Sequence, residues 1–236
     1  MLKVENLKVS YDNKVAIDDV SLTFKKDMVT GLIGPNGAGK STLIKTCIGL
    51  ISEYSGNIFY NDKELRKNRF AVKQQAAYAP ENAELLPYLS GIEFLNLISG
   101  IYNKNIPTEQ IDFLIDIFGL QTKKDDIINN YSHGMRQKIS VAAALVHNPE
   151  FILLDEALNG MDSVSLSKLL NFLNQEQKGK VIIISSHNVE MIHDYCNEVY
   201  VINKGKIEGY FNQDKLTSLA GQKNGLLNHY IEIINS

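Results

Sequence analysis

The chain has 236 residues, 44% of them hydrophobic and 22% charged, and a formal net charge of −3. That length buries a sizeable core as one large domain or two closely packed lobes, and the charge excludes an overall basic field for holding nucleic acid. No apolar run nears the ~18 residues that span a bilayer, and Met1-Leu2-Lys3-Val4-Glu5-Asn6 lacks the apolar core of a signal peptide, so the expectation is a cytoplasmic protein.

Leu2 to Val9 and Val20 to Phe24 alternate apolar and polar residues, the pattern of half-buried antiparallel strands. Between them Ser10-Tyr11-Asp12-Asn13-Lys14 is turn-rich and is followed by Val15-Ala16-Ile17. Val29 to Ile33 reads as a short buried strand, and Ser41 to Ile48 as an apolar-faced helix. Gly56 to Asp62 suggests a strand running into a turn. The basic residues Lys63, Arg66, Lys67, Arg69 and Lys73 suit a solvated face.

From about Leu85 to Val146 the periodicity turns helical. One helix carries Ile92, Leu95, Leu97, Ile98 and Ile101. A second carries Ile111, Leu114, Ile115 and Phe118 and stops at Gly119; a third runs from His133 to Leu145, ahead of Asn148-Pro149. Phe151 to Leu154 and Val181 to Ile184 are continuous apolar runs, as in parallel strands covered on both faces. An amphipathic helix from Val164 to Gln175 joins them in a strand-helix-strand crossover. Val199 to Ile202 and Ile207 to Tyr210 flank Asn203-Lys204-Gly205-Lys206 as a hairpin, and residues 214–236 hold one or two short helices. Cys47 and Cys196 lack metal-type spacing and suit small apolar packing in a reducing compartment.

The stretch Gly34-Pro35-Asn36-Gly37-Ala38-Gly39-Lys40-Ser41-Thr42 has the spacing G-x-x-x-x-G-K-[ST]. Its glycines let the backbone curl so that successive N–H groups face phosphate oxygens. Lys40 supplies a point charge for the terminal phosphates, and Ser41 a hydroxyl for Mg²⁺. Strand, glycine loop and helix N-terminus form an anion site, which implies a bound nucleoside triphosphate. Asp155-Glu156 follows the apolar strand 151–154, at the sheet edge where ligands bind. There Asp155 is placed to hold Mg²⁺ and Glu156 to take a proton from an attacking water. Ser185-Ser186-His187 ends the parallel strand in the same way, which puts His187 near the terminal phosphate.

Together these residues resemble the nucleotide-binding domain of ATP-binding cassette (ABC) transporters over nearly the whole chain. Gly34 to Thr42 is similar to the Walker A motif, Phe151 to Glu156 to Walker B, His187 to the switch histidine and Leu158 to Asp162 to the D-loop. Tyr11 matches the aromatic residue that stacks on adenine. Tyr131-Ser132-His133-Gly134-Met135-Arg136-Gln137 resembles the family's signature loop, with His133 at a usual glycine and Met135 at a common glutamine. Glu81, in Tyr78-Ala79-Pro80-Glu81, stands at the usual Q-loop glutamine, and Ala157 at a usual proline.

The resemblance implies an α/β fold: a P-loop NTPase (RecA-like) core with a parallel sheet, an N-terminal antiparallel β subdomain and an inserted α-helical subdomain. The single domain 1–236 divides into core and antiparallel lobe (about 1–84 and 147–215), helical lobe (about 85–146) and tail (about 216–236). ATP and Mg²⁺ are the implied ligands. Lys40, Glu156 and His187 are the implied catalytic residues, and Ser41, Asp155 and Glu81 the metal-binding ones. Tyr11, the loop Gly34 to Thr42, Ser132, Gly134 and Asp162 would bind ATP, with Ser132 and Gly134 facing the nucleotide of a partner. The implied assembly is a head-to-tail dimer, with itself or a homologous ATPase, driving a separate integral-membrane permease, in the style of an exporter. The dimer would be peripheral at the inner face of the membrane, with the permease's coupling helix received near Leu85-Leu86-Pro87-Tyr88. One alternative is an ABC ATPase that regulates a membrane or cell-wall complex without transport. A two-cassette translation or repair protein and a P-loop kinase or GTPase fit less of the chain, since the GTPase motif Asn-Lys-x-Asp is absent.

Overall fold

The computed structural model describes residues 1–12, 14–102, 106–220 and 224–235. Strands β1 (Leu2–Tyr11) and β2 (Lys14–Phe24) pair antiparallel, with Leu2 opposite Phe24 and Tyr11 opposite Lys14. The turn expected at residues 10–14 is therefore shorter than its composition suggests; Asn13 lies outside the described residues. Val15-Ala16-Ile17 and Val20 to Phe24 belong to one strand, because register shifts and the left-handed Asn6 and Asp19 (φ 47° and 57°) bring Ile17 onto the buried face of Val20, Leu22 and Phe24, while Val15 stays exposed.

Strand β3 (Met28–Ile33) leads through the glycine loop into α1 (Lys40–Cys47). Strand β4 (Ser55–Tyr60) pairs antiparallel with β1 and carries the two-residue β5 (Lys63–Glu64), which gives the first sheet the order β2-β1-β4-β5. Next come α2 (Arg69–Lys73), β6 (Ala76–Ala79) and the helices α3 (Gly91–Ile101), α4 (Thr108–Ile117) and α5 (His133–Leu145). Ser90 and Glu93 form a capping box on α3, and Gly119, at φ 63°, follows the end of α4. Strand β7 (Phe151–Asp155), α6 (Ser163–Gln175), β8 (Val181–Ser186) and α7 (Val189–Tyr195) follow. The chain then makes the hairpin β9 (Glu198–Asn203) and β10 (Lys206–Phe211), then α8 (Gln213–Ala220) and α9 (Gly225–Asn235).

The second sheet has the order β10-β9-β3-β8-β7-β6, parallel except for its β9–β10 hairpin. It is covered on both faces. Phe151, Leu153, Val181, Ile183 and Leu32 pack with α1 and the first sheet, whereas Ile152, Leu154, Ile182 and Ile184 pack with α3 to α9. This explains the unbroken apolar runs of β7 and β8, since neither face meets water. Cys47 and Cys196 are buried free thiols, with that of Cys47 pushed up to about 12 by burial. Four parallel strands deliver their carboxyl ends to one edge. There β3 leads to Gly34, β6 to Glu81, β7 to Glu156 and β8 to His187.

Helix α1 depends on burial between the sheets, and Leu43 is 0% exposed there while Leu50, just beyond it, is 57% exposed. Leu43→Ala should lower unfolding stability by about 2–5 kcal/mol, and Leu50→Ala by less than about 0.5 kcal/mol. Urea denaturation of both variants checks this; equal losses would place the core elsewhere.

Candidate functional site

The loop after β3 folds tightly because its glycines permit it. Gly37 and Gly39 have φ 78° and 113°, and a Cβ on Gly34 would lie 2.2 Å from the Ile202 carbonyl oxygen. Gly39 caps α1, whose first turn has no acidic residue, so the helix N-terminus opens toward the loop. The β9–β10 turn braces this arrangement: the Gly205 N–H donates to the Ala38 carbonyl, and the Asp18 N–H to that of Gly205, both at 2.9 Å.

Over the loop lies a cleft of about 760 Å³. Its far end is walled by Tyr11, Lys14, Val15, Ala16, Lys204 and Gly205, its near end by Asn36 to Thr42, Glu81, Glu156 and His187. Tyr11, half exposed at the end of β1, offers an aromatic face to a planar base. Pro35 contributes its carbonyl, which together with that of Gly34 accepts from Lys40 Nζ at 3.3 and 2.7 Å. Lys40 is only 5% exposed, and its third contact is Glu156 Oε1 at 3.2 Å.

Glu156 leaves β7 in the left-handed region, at φ 52°. Its N–H donates to the Ser185 hydroxyl at 2.9 Å. The His187 Nδ1–H and Asn159 Nδ2 both donate to Glu156 Oε2 at 2.9 Å. Burial raises the Glu156 pKa, but the hydrogen bond from Asn159, the Lys40 charge and the hydrogen bond from His187 outweigh it and hold the carboxyl below its ordinary range. It is therefore ionised at neutral pH. A carboxylate has about four lone-pair sites, so with three donors in place it keeps one with which to take a proton.

Asp155, 2% exposed, accepts at Oδ1 from the Ser41 and Ser185 hydroxyls, both at 2.9 Å, and at Oδ2 from Tyr78 at 3.3 Å. Burial and the neighbouring Asp155 push the Tyr78 phenol well up. Ser41 Oγ and Asp155 Oδ1, joined by their hydrogen bond, are hard oxygen donors of the kind Mg²⁺ prefers. No cluster of three or more His, Cys, Asp or Glu suited to a metal occurs among the described residues. Mg²⁺ is commonly held by one or two carboxylates together with substrate phosphates, so this donor set fits it. Glu81 lines the same cleft from the end of β6.

Ser132, Gly134 and Asp162 are not in this cleft. They gather at the N-termini of α5 and α6, which Ser132 and Asp162 cap by accepting from Met135 N and Ser165 N. Lys138 pairs with Asp162 at 2.6 Å, and the hydrogen bond from Lys138 is the main reason the Asp162 carboxyl sits well below its usual range. A Cβ on Gly134 would lie 2.7 Å from the Gly160 carbonyl oxygen, so the two helix starts are in close contact. His133 is exposed beside Gly160.

Several residues with a part in the site carried no such sign in the sequence. Asn159, Ser185 and Tyr78 hold the two carboxylates, and Gln137, 2% exposed, donates to the Pro80 carbonyl at 2.8 Å beside Glu81. Lys204 and Gly205 read as a hairpin turn only, and their nearness to the loop is a tertiary fact.

The sequence model of the family described as ABC transporter matches residues 17–159. Among curated relatives, the lipopolysaccharide export system ATP-binding protein LptB of Haemophilus influenzae is 33% identical over 215 residues, 88% of each chain. The uncharacterized ABC transporter ATP-binding protein YdbJ of Bacillus subtilis is 32% identical over 214 residues, 88% of this chain and 68% of that one. A solved structure described as the ATP binding subunit of an ABC transporter superposes with a TM-score of 0.87 at 28% identity, covering 99% of both chains. The expected P-loop NTPase fold, with its antiparallel sheet, parallel core and helices, is the fold of those cassettes. The chain belongs to the ABC transporter family, as its ATP-binding domain, and is an ATPase.

Proposed function

We propose that this chain is a transport ATPase subunit that binds ATP in the cleft over Gly34 to Thr42 and uses hydrolysis to drive a separate membrane-spanning permease, in the export direction. The observation that carries the reading is the assembly of Lys40, Glu156 and His187 directly beside the glycine loop. In this reading Tyr11 stacks on the adenine, and the loop N–H groups with Lys40 take the phosphates. Ser41 and Asp155 hold Mg²⁺, with Glu81 close by, and bound Mg²⁺ would neutralise charge on the terminal phosphates. Glu156 accepts the proton of the attacking water, and His187 keeps the Glu156 carboxylate turned toward the cleft.

Ser132, Gly134 and Asp162 belong to the opposite side of a head-to-tail dimer, formed with a second copy or a homologous ATPase, where they face the partner's nucleotide. Their separation from the chain's own cleft supports this assignment. Differential affinity of ATP for the closed dimer would couple binding to motion. Residues 1–236 then act as one cassette: core and antiparallel lobe at about 1–84 and 147–215, helical lobe at about 85–146, tail at about 216–236. The apolar cluster that joins the helices to the sheet supports counting them as one unit.

No helix among the described residues is long and apolar enough to cross a membrane. In this reading the permease is a separate partner that holds the ATPase at the inner face. Tyr88, 87% exposed, and Leu86, 49% exposed, offer it an apolar surface in the segment that follows Glu81. The name of the relative LptB, an export-system ATP-binding protein, supports the direction.

Glu156→Gln should bind ATP, accumulate as a dimer in size-exclusion chromatography and lose turnover by about 10²-fold or more, the scale of a lost general base. Near-normal hydrolysis would remove Glu156 from that role. Tyr88→Asp should leave ATP hydrolysis by the isolated chain intact and abolish its recovery with solubilised native membranes. Wild-type recovery would move the docking surface elsewhere.

A further inference from the structure

The proposed reaction gives Ser185 no part, although it is fully buried at the edge of the sheet where the cleft opens. Strands β7 and β8 run parallel with Asp155 opposite Ser185, so the two side chains share one face of the sheet. The Ser185 hydroxyl donates its proton to Asp155 Oδ1 at 2.9 Å and accepts the Glu156 backbone N–H at 2.9 Å. Its carbonyl also accepts that N–H, at 3.2 Å. One residue thus holds the backbone of Glu156 through two oxygens and the carboxylate of Asp155 through a proton.

The backbone at Glu156 needs such an anchor. A glutamate at φ 52° persists only where its surroundings over-determine the conformation. That bend is what carries the Glu156 carboxylate to Lys40 and His187. At Asp155 the Ser185 hydroxyl shares Oδ1 with Ser41, while Tyr78 reaches Oδ2 at 3.3 Å. Without Ser185, Asp155 keeps one short contact and one long one, and its plane can turn.

We infer that Ser185 is a positioning residue for ATP hydrolysis, aiming Asp155 at Mg²⁺ and Glu156 at the attacking water through a single hydroxyl. The inference rests on the roles proposed above for Asp155 and Glu156. The bonds from Lys40 to the Gly34 and Pro35 carbonyls do not involve Ser185, which reaches Lys40 only by way of Glu156 and Ser41 only by way of Asp155. Metal-free nucleotide binding therefore depends on Ser185 far less than metal affinity and turnover do.

The test compares Ser185→Ala, Ser185→Thr and Glu156→Gln in the full chain. Three quantities are measured: ATP affinity in EDTA by calorimetry, Mn²⁺ affinity of the ADP complex by electron paramagnetic resonance, and kcat with KM. For Ser185→Ala the ATP affinity in EDTA should stay at the wild-type value. Its Mn²⁺ affinity and kcat should each fall about 10- to 100-fold, the range for residues that orient a metal's ligands. Ser185→Thr, which keeps the hydroxyl, should recover most of both.

Wild-type Mn²⁺ affinity and kcat in Ser185→Ala, with turnover lost in Glu156→Gln, would overturn the inference and leave the proposed site standing. Normal turnover in Glu156→Gln would instead remove the reading beneath it. A loss of ATP affinity in EDTA equal to the loss of kcat would make Ser185 a purely structural residue and overturn the inference. Should the alanine variant fail to fold, Ser185→Cys, with its weak donor, carries the same readouts.

Discussion

A buried ammonium group sets the terms for this structure. Lys40 is nearly enclosed, and a cation removed from water needs several close acceptors. It finds the carbonyls of Gly34 and Pro35 and the Glu156 carboxylate. Meeting that need requires the chain to turn back within six residues after β3, which the glycine conformations permit. It also requires β7 to end level with the loop. Both strands belong to one sheet with β8 between them, so the sheet registers fix the spacing. The buried cation, the loop and the acidic strand end are therefore one constraint expressed in three places.

Much of the fold was legible because burial leaves simple marks on sequence. Fully covered strands show as apolar runs, half-covered ones as alternation, and the helices of residues 91–145 as a helical period. Strand β6 was missed because Ala76-Ala77-Tyr78-Ala79 has little strand preference of its own and is defined by pairing with β7. Helices α2 and α7, five and seven residues long, are too short to display a period. The bulges of the first hairpin split one strand into two apparent segments, because each bulge shifts the phase of alternation.

The site divides along the same line. Gly34 to Thr42, Asp155, Glu156 and His187 were legible because each stands at a strand end whose chemistry is local. The residues that orient them were not. Asn159 and Ser185 act through side-chain bonds to Glu156 and Asp155, and Gln137 reaches the Pro80 carbonyl across 57 positions of sequence. Spacing carries no trace of such contacts, since serine, asparagine and glutamine occur wherever a surface or a turn needs them. Ser132 and Asp162 lie between these cases: their capping is local, but the part proposed for them depends on the surface of a second molecule.

The claim on which everything else stands is that ATP is held by the glycine loop and the Lys40 ammonium. Calorimetric titration of ATP into the wild-type chain and Lys40→Ala, both in EDTA, tests it without metal or turnover. The account predicts a single site per chain, weakened about 10-fold or more in the variant, as expected when a charge-assisted hydrogen bond to phosphate worth at least ~1.4 kcal/mol is lost. Equal affinity in the two proteins would contradict it, because the nucleotide would then be bound somewhere the buried lysine does not reach.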